Sequence, residues 1–91
     1  MPTIPAIARQ QWRILLFGPE AAACGKSEVL LPSDRATMMV ADLRALLAQS
    51  EPKLLPYLQS SRFAANCAFV GDSAVVCPED EIAVIGMVFG G

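Results

Sequence analysis

The segment "TMMVADLRALLAQ", Thr37 to Gln49, decides the fold, because it combines helical periodicity with a length of several turns. Its apolar positions recur at intervals of three and four residues, which predicts an amphipathic helix of about three turns. They are Met39, Leu43, Leu46 and Leu47. The start is open, since Ser33, Asp34 and Thr37 all suit an N-cap. A Met and Leu stripe of this kind is typical of a core face.

Two predicted strands precede this helix and form a hairpin. The run "WRILLF", Trp12–Phe17, stops at a Gly-Pro pair, and its length predicts a strand that is buried on both faces. The segment "GPEAAACG" predicts a connector, in which Gly25 fits a turn position with positive φ. "KSEVLL", Lys26–Leu31, predicts the return strand, which Pro32 is expected to end.

The segments after the helix complete the predicted sheet. The link at 52–61 contains two prolines and predicts one 3₁₀ turn. Arg62–Phe69 predicts a third strand, and a few extended residues are predicted within 70–76. The polar turn at 77–81 precedes Ile82–Val88, an uncharged strand that we expect in the centre of the sheet. A helical crossover allows the first and last long strands to pair in parallel, and one main helix has to cover this sheet.

The composition excludes several classes of function. The chain has 91 residues, of which 54% are apolar and 18% charged, so a single small core can leave apolar surface for a partner. The net charge is −2 and the seven basic residues are scattered, so nucleic acid is not an expected partner. Histidine, the commonest general base and metal ligand, is absent. We expect this chain to bind no metal and no cofactor of its own.

The cysteines are Cys24, Cys67 and Cys77, and their spacing predicts neither a disulfide framework nor a zinc site. Cys67 and Cys77 are expected to be small buried apolar residues in a reducing compartment. A functional thiol at Cys24, in the predicted connector, is an alternative, although the sequence shows no basic partner for it.

Residues 1–11 predict a loose N-terminal arm, because Pro2 and Pro5 oppose regular structure and nothing periodic appears. The arm lacks the basic and apolar regions of a secretory signal. No uncharged apolar stretch is long enough to cross a bilayer. We therefore expect a cytoplasmic protein without a membrane partner, built as a single domain at 12–91.

Four segments carry a resemblance to a known family. They are the strand ending at Phe17 with Gly25 closing the next loop, "VADLRALLA" in the helix, "FAANCAFV" with Asn66, and the end "PEDEIAVIGMVFGG". In this order they resemble the ubiquitin-like β-grasp sulfur carriers, most closely the small subunits of molybdopterin synthase. The resemblance covers about residues 12–91. It departs at Ala21-Ala22, where the family usually carries an Arg-Glu pair, and in the residues just before the two glycines.

The resemblance implies an α+β fold of the β-grasp type. In it, a mixed sheet of four to five strands packs on one main helix, and a flexible Gly-Gly tail at 87–91 protrudes. It also implies a chemical cycle at Gly91. An E1-like adenylating enzyme uses ATP to activate the Gly91 carboxylate, sulfur replaces AMP, and the terminal thiocarboxylate donates its sulfur to a pterin precursor. Donation takes place inside the large subunit of molybdopterin synthase, in an expected heterotetramer, so the chain is not a catalyst alone.

The predicted functional residues lie mostly at this end of the chain. Glycine at 90 and 91 has no Cβ, so the walls of a narrow channel can close on the backbone. Met87, Val88 and Phe89 are interpreted as anchors that dock the tail on a partner, or else as the end of the core.

Two further interpretations concern polar residues upstream of the tail. Asp80 and Glu81 are interpreted as a solvated turn rather than as an acid–base pair. Asn66 is expected to satisfy backbone groups within the sheet or near the tail.

Other functions stay open. A thiocarboxylate carrier for thiamine thiazole or for another sulfur metabolite would share the same loading chemistry. A ubiquitin-like modifier would join Gly91 to lysines on target proteins. A plain binding module would have an idle tail, and removal of Gly90 and Gly91 would leave its function intact.

Overall fold

The computed structural model describes residues 10–86, and within this range it contains the strands and helices that follow. They are β1 Gln10–Phe17, α1 Pro19–Cys24, β2 Glu28–Ser33, β3 Met38–Met39, α2 Val40–Ser50, a 3₁₀ helix Pro52–Leu54, α3 Leu55–Leu58, β4 Arg62–Ala65, β5 Ala68–Val70, β6 Val75–Val76 and β7 Ile82–Ile85. The strand β1 begins at Gln10, so two residues of the predicted arm belong to the sheet, and residues 1–9 lie outside the described residues.

Five strands form one mixed sheet in the order β2-β1-β7-β4-β5. The strand β7 lies in the middle and runs parallel to β1, with Ile14 opposite Ile82, while the other neighbours are antiparallel. A small second sheet pairs β3 with β6. This arrangement confirms the predicted β-grasp fold, the central position of the last strand and its parallel pairing with the first.

Only one face of β1 is buried, so the predicted burial of both faces is wrong. Trp12, Ile14 and Leu16 are buried, whereas Arg13 and Phe17 on the opposite face are exposed. The reason is that α2 covers one side of the sheet, and within residues 10–86 no helix covers the other side.

The helix α2 closes the core through Val40, Leu43 and Leu47, which are almost fully buried. It begins at Val40, later than predicted, because the preceding methionines form β3. None of the predicted caps is used. The first helical N–H groups instead donate to the loop after β5, Val40 to the Ala74 carbonyl (2.9 Å) and Ala41 to the Asp72 carbonyl (3.0 Å). A backbone segment therefore takes the place of a side-chain cap.

The predicted connector at 18–25 is in fact the helix α1. Pro19 occupies its first turn, and Gly25 ends it with φ 73°, donating its N–H to the Ala21 carbonyl (2.9 Å). Proline at the start, alanines inside and a left-handed glycine after the end are all favourable for a helix. The prediction of positive φ at Gly25 is confirmed.

The return strand β2 runs on past Pro32, which was expected to end it. The Leu16 N–H donates to the Ser27 carbonyl (2.8 Å), so Ser27 is a hydrogen-bonded position facing β1. Hydrogen-bonded and non-bonded positions alternate along an antiparallel strand, which makes Pro32 a position whose nitrogen points away from β1. Since β2 is an edge strand, the missing N–H of Pro32 breaks no hydrogen bond within the sheet.

The predicted third strand, Arg62–Phe69, is two strands joined by a tight hairpin. Ala65 pairs with Ala68, and the two residues between them, Asn66 and Cys67, have φ values of 52° and 71°. Two successive positive φ values define a type I′ turn, whose right-handed twist matches the flanking strands. The turn lacks the usual glycine, which is why the sequence did not reveal it.

The predicted last strand, Ile82–Val88, ends earlier, at Ile85; Gly86 is not in a strand, and residues 87 and 88 lie outside the described residues. Three other predictions after the helix are confirmed. A 3₁₀ helix occurs at Pro52–Leu54, and Val75–Val76 is extended as β6. The polar turn closes through the Asp80 N–H, which donates to the Cys77 carbonyl (3.0 Å). None of the helices within residues 10–86 has the length and apolar character that a membrane span needs.

We predict that Leu43→Ala lowers the free energy of unfolding by about 2–5 kcal/mol, because it leaves a cavity between α2 and the sheet. Urea denaturation measures this change. Leu55→Ala removes the same atoms from an exposed helical side chain (54% exposed) and should lower stability by less than about 1 kcal/mol. Equal losses in the two variants would contradict this description of the core.

We predict that Cys67→Gly raises the free energy of unfolding by about 0.5–1 kcal/mol, because glycine adopts the left-handed conformation without the penalty of a Cβ. Cys67→Ala keeps that penalty and is the matched control, with an expected change within about 0.5 kcal/mol. Chemical denaturation compares the two, and a destabilised glycine variant would argue against the type I′ turn.

Candidate functional site

The outer face of the main sheet, opposite α2, carries apolar side chains that water can reach. Strand register aligns one row across four strands, in which Leu15 lies beside Ala83, Ala83 beside Ala64, and Ala64 beside Phe69. The two central residues are small and the two outer ones are large. This row therefore makes the sheet surface concave in the middle.

The concave surface, called here the apolar hollow, encloses about 320 Å³. Its lining is Leu15, Phe17, Ala64, Cys67, Phe69, Glu81, Ala83 and Ile85. Phe17 and Phe69 are 51% and 55% exposed. Exposed aromatic side chains around an apolar depression are typical of a surface that a partner protein covers.

Charged groups stand at two sides of the hollow. The Arg62 guanidinium lies over the Phe69 ring, 4.5 Å from its centroid. At the other side, Glu79, Asp80 and Glu81 form the acidic turn before β7. The hollow is thus an apolar surface with opposite charges at its rim, which favours one orientation of a bound partner.

Asn66 connects the hairpin to this acidic turn. Its N–H donates to the Glu81 carbonyl (2.8 Å), its Nδ2 donates to Asp80 Oδ1 (3.0 Å), and its Oδ1 accepts from the Glu81 N–H (2.9 Å). Asn66 therefore satisfies backbone groups beside the last strand, as expected from the sequence. It holds one wall of the hollow in place.

Asp80 is a structural part of this turn. The Cys77 N–H, which donates to Oδ2 (2.8 Å), and then the Asn66 amide hold the pKa of the Asp80 carboxyl below its usual value. A lowered pKa in the folded state means that the turn is stabilised above the usual carboxyl pKa and weakened as the pH falls through the lowered value. These contacts support the interpretation of a turn rather than an acid–base pair.

The cysteines differ from expectation. Cys67 is exposed and Cys77 is half-buried, so the prediction that both are buried apolar residues is wrong. The positive-φ turn holds Cys67 at the surface, and the Cys77 thiol donates to Asp80 Oδ2 (3.4 Å).

Cys24 ends α1 and donates its thiol to Glu51 Oε1 (3.3 Å). Burial, and then this hydrogen bond to a carboxylate, raise the pKa of the Cys24 thiol. Lys26, the nearby cation, pairs with the other oxygen of Glu51 (2.9 Å). These contacts favour the protonated thiol, whereas a nucleophile needs the thiolate. The alternative of a functional thiol at Cys24 is therefore not supported.

The predicted reacting and docking residues, Gly91, Gly90, Met87, Val88 and Phe89, lie outside the described residues. The structure does place their point of origin. Gly86 directly follows Ile85, and Ile85 lines the hollow opposite Phe17. The last five residues of the chain thus begin at the edge of the hollow.

Sequence reasoning missed the hollow and a buried acid beside Gly86, Glu20. The sequence did contain a signal for the hollow. In β1 and β7, apolar residues occur on both faces of the strand, whereas a sheet covered on one face needs them on that face only. No signal marked Glu20, since a charged residue in a predicted connector is normally solvated.

Several solved structures are similar to this chain, among them the following three. Small archaeal modifier protein 1 from Haloferax volcanii has a TM-score of 0.75 at 20% identity, covering 89% of this chain and 99% of its own. A Pyrococcus furiosus protein assigned as subunit 1 of a molybdopterin converting factor has a TM-score of 0.72 at 15% identity, covering 87% and 99%. A chain from the complex of subunits 1 and 2 of the Helicobacter pylori molybdopterin-converting factor has a TM-score of 0.62 at 19% identity, covering 90% and 100%. At these identities the likeness shows a shared fold.

Sequence similarity identifies the family. No curated protein matches the chain. The profile of the ThiS family, in contrast, matches residues 14–91, which run from the middle of β1 through the main helix and β7 to the two terminal glycines. The chain therefore belongs to the ThiS family of ubiquitin-like sulfur carriers.

Proposed function

We propose that Gly91 is adenylated and converted to a thiocarboxylate, which donates sulfur in the biosynthesis of molybdopterin. In this proposal the chain is the small subunit of a molybdopterin synthase. The observation that carries the proposal is the position of β7, whose end lies in the centre of the sheet and beside the apolar hollow. One face of the domain can then bind an enzyme while the adjacent chain end enters its active site.

The length of the tail is compatible with docking through the hollow and reaction at Gly91. From Gly86 to Gly91 the chain can span at most about 18 Å when fully extended. A docked body therefore has to lie close to the enzyme's active site. Binding through the hollow supplies that proximity without contacts at the reacting carboxylate.

The proposed chemistry uses an activated acyl group. A Gly91 carboxylate oxygen attacks the α-phosphorus of ATP, and pyrophosphate leaves. A hydrosulfide equivalent supplied by another protein then attacks the acyl carbon, and AMP leaves, so that a thiocarboxylate remains. That sulfur attacks an electrophilic carbon of the pterin precursor, and an oxygen substituent of that carbon leaves. Water afterwards cleaves the acyl–sulfur bond, which restores the carboxylate and leaves the sulfur on the pterin. Glycine at 90 and 91 suits both narrow active sites, because no Cβ limits the approach of surrounding groups.

The partners in this proposal are an E1-like adenylating enzyme of the host and the large subunit of the synthase. The Helicobacter pylori complex, in which a chain of the same fold is joined to a second subunit, supports the large-subunit partner. ATP belongs to the activating enzyme, and no residue of the described chain is assigned to it. The cytoplasm, where such biosynthetic enzymes meet, is the proposed location.

A protein-modifier function is the second candidate, because small archaeal modifier protein 1 shares this fold. Both functions begin with adenylation of the terminal glycine, so the body alone does not separate them. A carrier for thiamine thiazole or another sulfur metabolite shares the loading step too. These candidates differ in what accepts the activated group.

We predict that incubation with the host adenylating enzyme, ATP and a sulfide source adds the mass difference of one sulfur in place of one oxygen at Gly91. Intact-mass spectrometry with fragmentation of the terminal peptide locates the change. A chain extended by one residue after Gly91 is the control, and it should gain nothing because its carboxylate is displaced. An unchanged wild-type mass, or equal loading of the extended chain, would refute the loading step.

The same preparation identifies the acceptor. Molybdopterin formed after addition of the large subunit and the pterin precursor supports the synthase. Loading without molybdopterin indicates another sulfur pathway. Isopeptide-linked adducts on lysines in a host lysate indicate the modifier.

We predict that Phe69→Glu weakens binding to the large subunit about tenfold or more, because it puts a carboxylate into the apolar hollow. Leu55→Glu, a similarly exposed position on α3, should leave the dissociation constant unchanged within about twofold. Calorimetry measures both constants, and melting curves check that both variants fold. Equal affinities would place the docking surface elsewhere.

A further inference from the structure

Glu20 is a buried acid that the cycle above does not use. It is the second residue of α1 and only 1% exposed. Carboxyl groups are rarely buried to this extent unless another group compensates for the loss of water. A position of this kind calls for a structural or functional reason.

Among residues 10–86, only one of the two Glu20 carboxyl oxygens has a hydrogen-bond partner. Oε2 contacts the Ser61 hydroxyl, which is itself buried, while Oε1 has no hydrogen-bond partner among residues 10–86. None of the ion pairs formed within this part of the chain includes Glu20. One oxygen is therefore held in place by Ser61, and the other is an acceptor without a donor.

Glu20 Oε1 lies against Gly86, the residue that directly follows β7. A methyl group added at Gly86 would overlap Glu20 Oε1 and would lie 2.8 Å from Pro19 Cδ. The start of α1 thus closes on the bare backbone of Gly86, the last residue before the tail. Only glycine leaves room for the carboxyl oxygen at this point.

We propose that Glu20 is a positioning residue for the chain end. In the state that the activating enzyme binds, Oε1 accepts a hydrogen bond from the Gly86 N–H and fixes the direction in which the chain leaves β7. This role rests on the proposed function in one respect, since it takes Gly91 as the reacting end. Glu20 touches neither ATP nor the reacting carboxylate.

The physical basis is preorganisation. A buried acceptor without a donor is unfavourable, so a state that supplies a donor is stabilised relative to states that do not. If that state is the productive one, fewer tail conformations compete with it, and the reacting carboxylate spends more time in attacking geometry. The hydrogen bond is expected to raise the rate of adenylation. It leaves the docking surface unaffected, because α1 packs against the core on the same face of the sheet as α2, and the hollow lies on the opposite face.

Two substitutions of similar size separate hydrogen bonding from packing. Glu20→Gln keeps a carbonyl acceptor, and its amide can donate to the Ser61 hydroxyl, which then donates to the Tyr57 carbonyl (2.8 Å in the present structure). Glu20→Met fills the same space with an unbranched apolar side chain and offers no comparable acceptor.

We expect Glu20→Met to lower kcat for ATP-dependent pyrophosphate release by the host adenylating enzyme about three- to tenfold, the rate equivalent of one hydrogen bond. KM for the carrier should stay within about twofold, since docking is unchanged. Glu20→Gln should restore kcat to within about twofold of wild type. Equal kcat in the Met and Gln variants, or a change in KM alone, would overturn the proposal.

The controls keep the result interpretable. If the wild-type chain releases no pyrophosphate with the enzyme, the proposed function fails; if it does and the two variants agree, only the role of Glu20 fails. Urea denaturation checks folding. Should Glu20→Met not fold, Ser61→Ala replaces it, because loss of the hydroxyl releases Oε2 and should lower kcat with KM unchanged. A Ser61→Ala variant with wild-type kcat would then overturn the proposal.

Discussion

The parallel pairing of β1 with β7 is the constraint on which the rest of this structure depends. A parallel pair needs a crossover, and α2 with its flanking segments provides it across one face of the sheet. The same pairing puts the final strand between β1 and β4, with Ile82 and Val84 in the core. The last strand of the described residues is thereby paired along both of its edges, with β1 and with β4.

The two faces of the sheet differ because, among residues 10–86, a single main helix covers only one of them. The covered face holds Trp12, Ile14 and Leu16 against α2 and supplies the stability of the domain. The uncovered face uses small residues in the middle and aromatic residues at the side to form the apolar hollow. Residues alternating along one strand therefore belong to the core and to the exposed hollow in turn. Gly86 lies between the hollow and α1. It directly follows Ile85, which lines the hollow, and it lies against Glu20 and Pro19 of α1.

Periodicity and segment order were sufficient to predict the fold. The helical spacing of Leu43 and Leu47 and the uncharged last strand indicated one crossover and a central β7, and the two terminal glycines indicated the family. Features that depend on contacts distant in sequence were not predictable. The helix α1 is too short to show a period, the Asn66–Cys67 turn lacks its usual glycine, and the hollow needs the register of four strands. Burial of Glu20 follows from the packing of α1 on β1 and α3 and from its close approach to Gly86, which no local pattern reports.

Pro32 has a consequence for how this protein behaves at high concentration. Among residues 10–86, β2 is an edge strand of the main sheet, and an unpaired edge is a template for strand addition by another copy. Because the Pro32 nitrogen points outward and carries no hydrogen, a neighbouring strand cannot complete its ladder there. The β2 edge of a domain with an exposed apolar face is thus a poor template for strand addition.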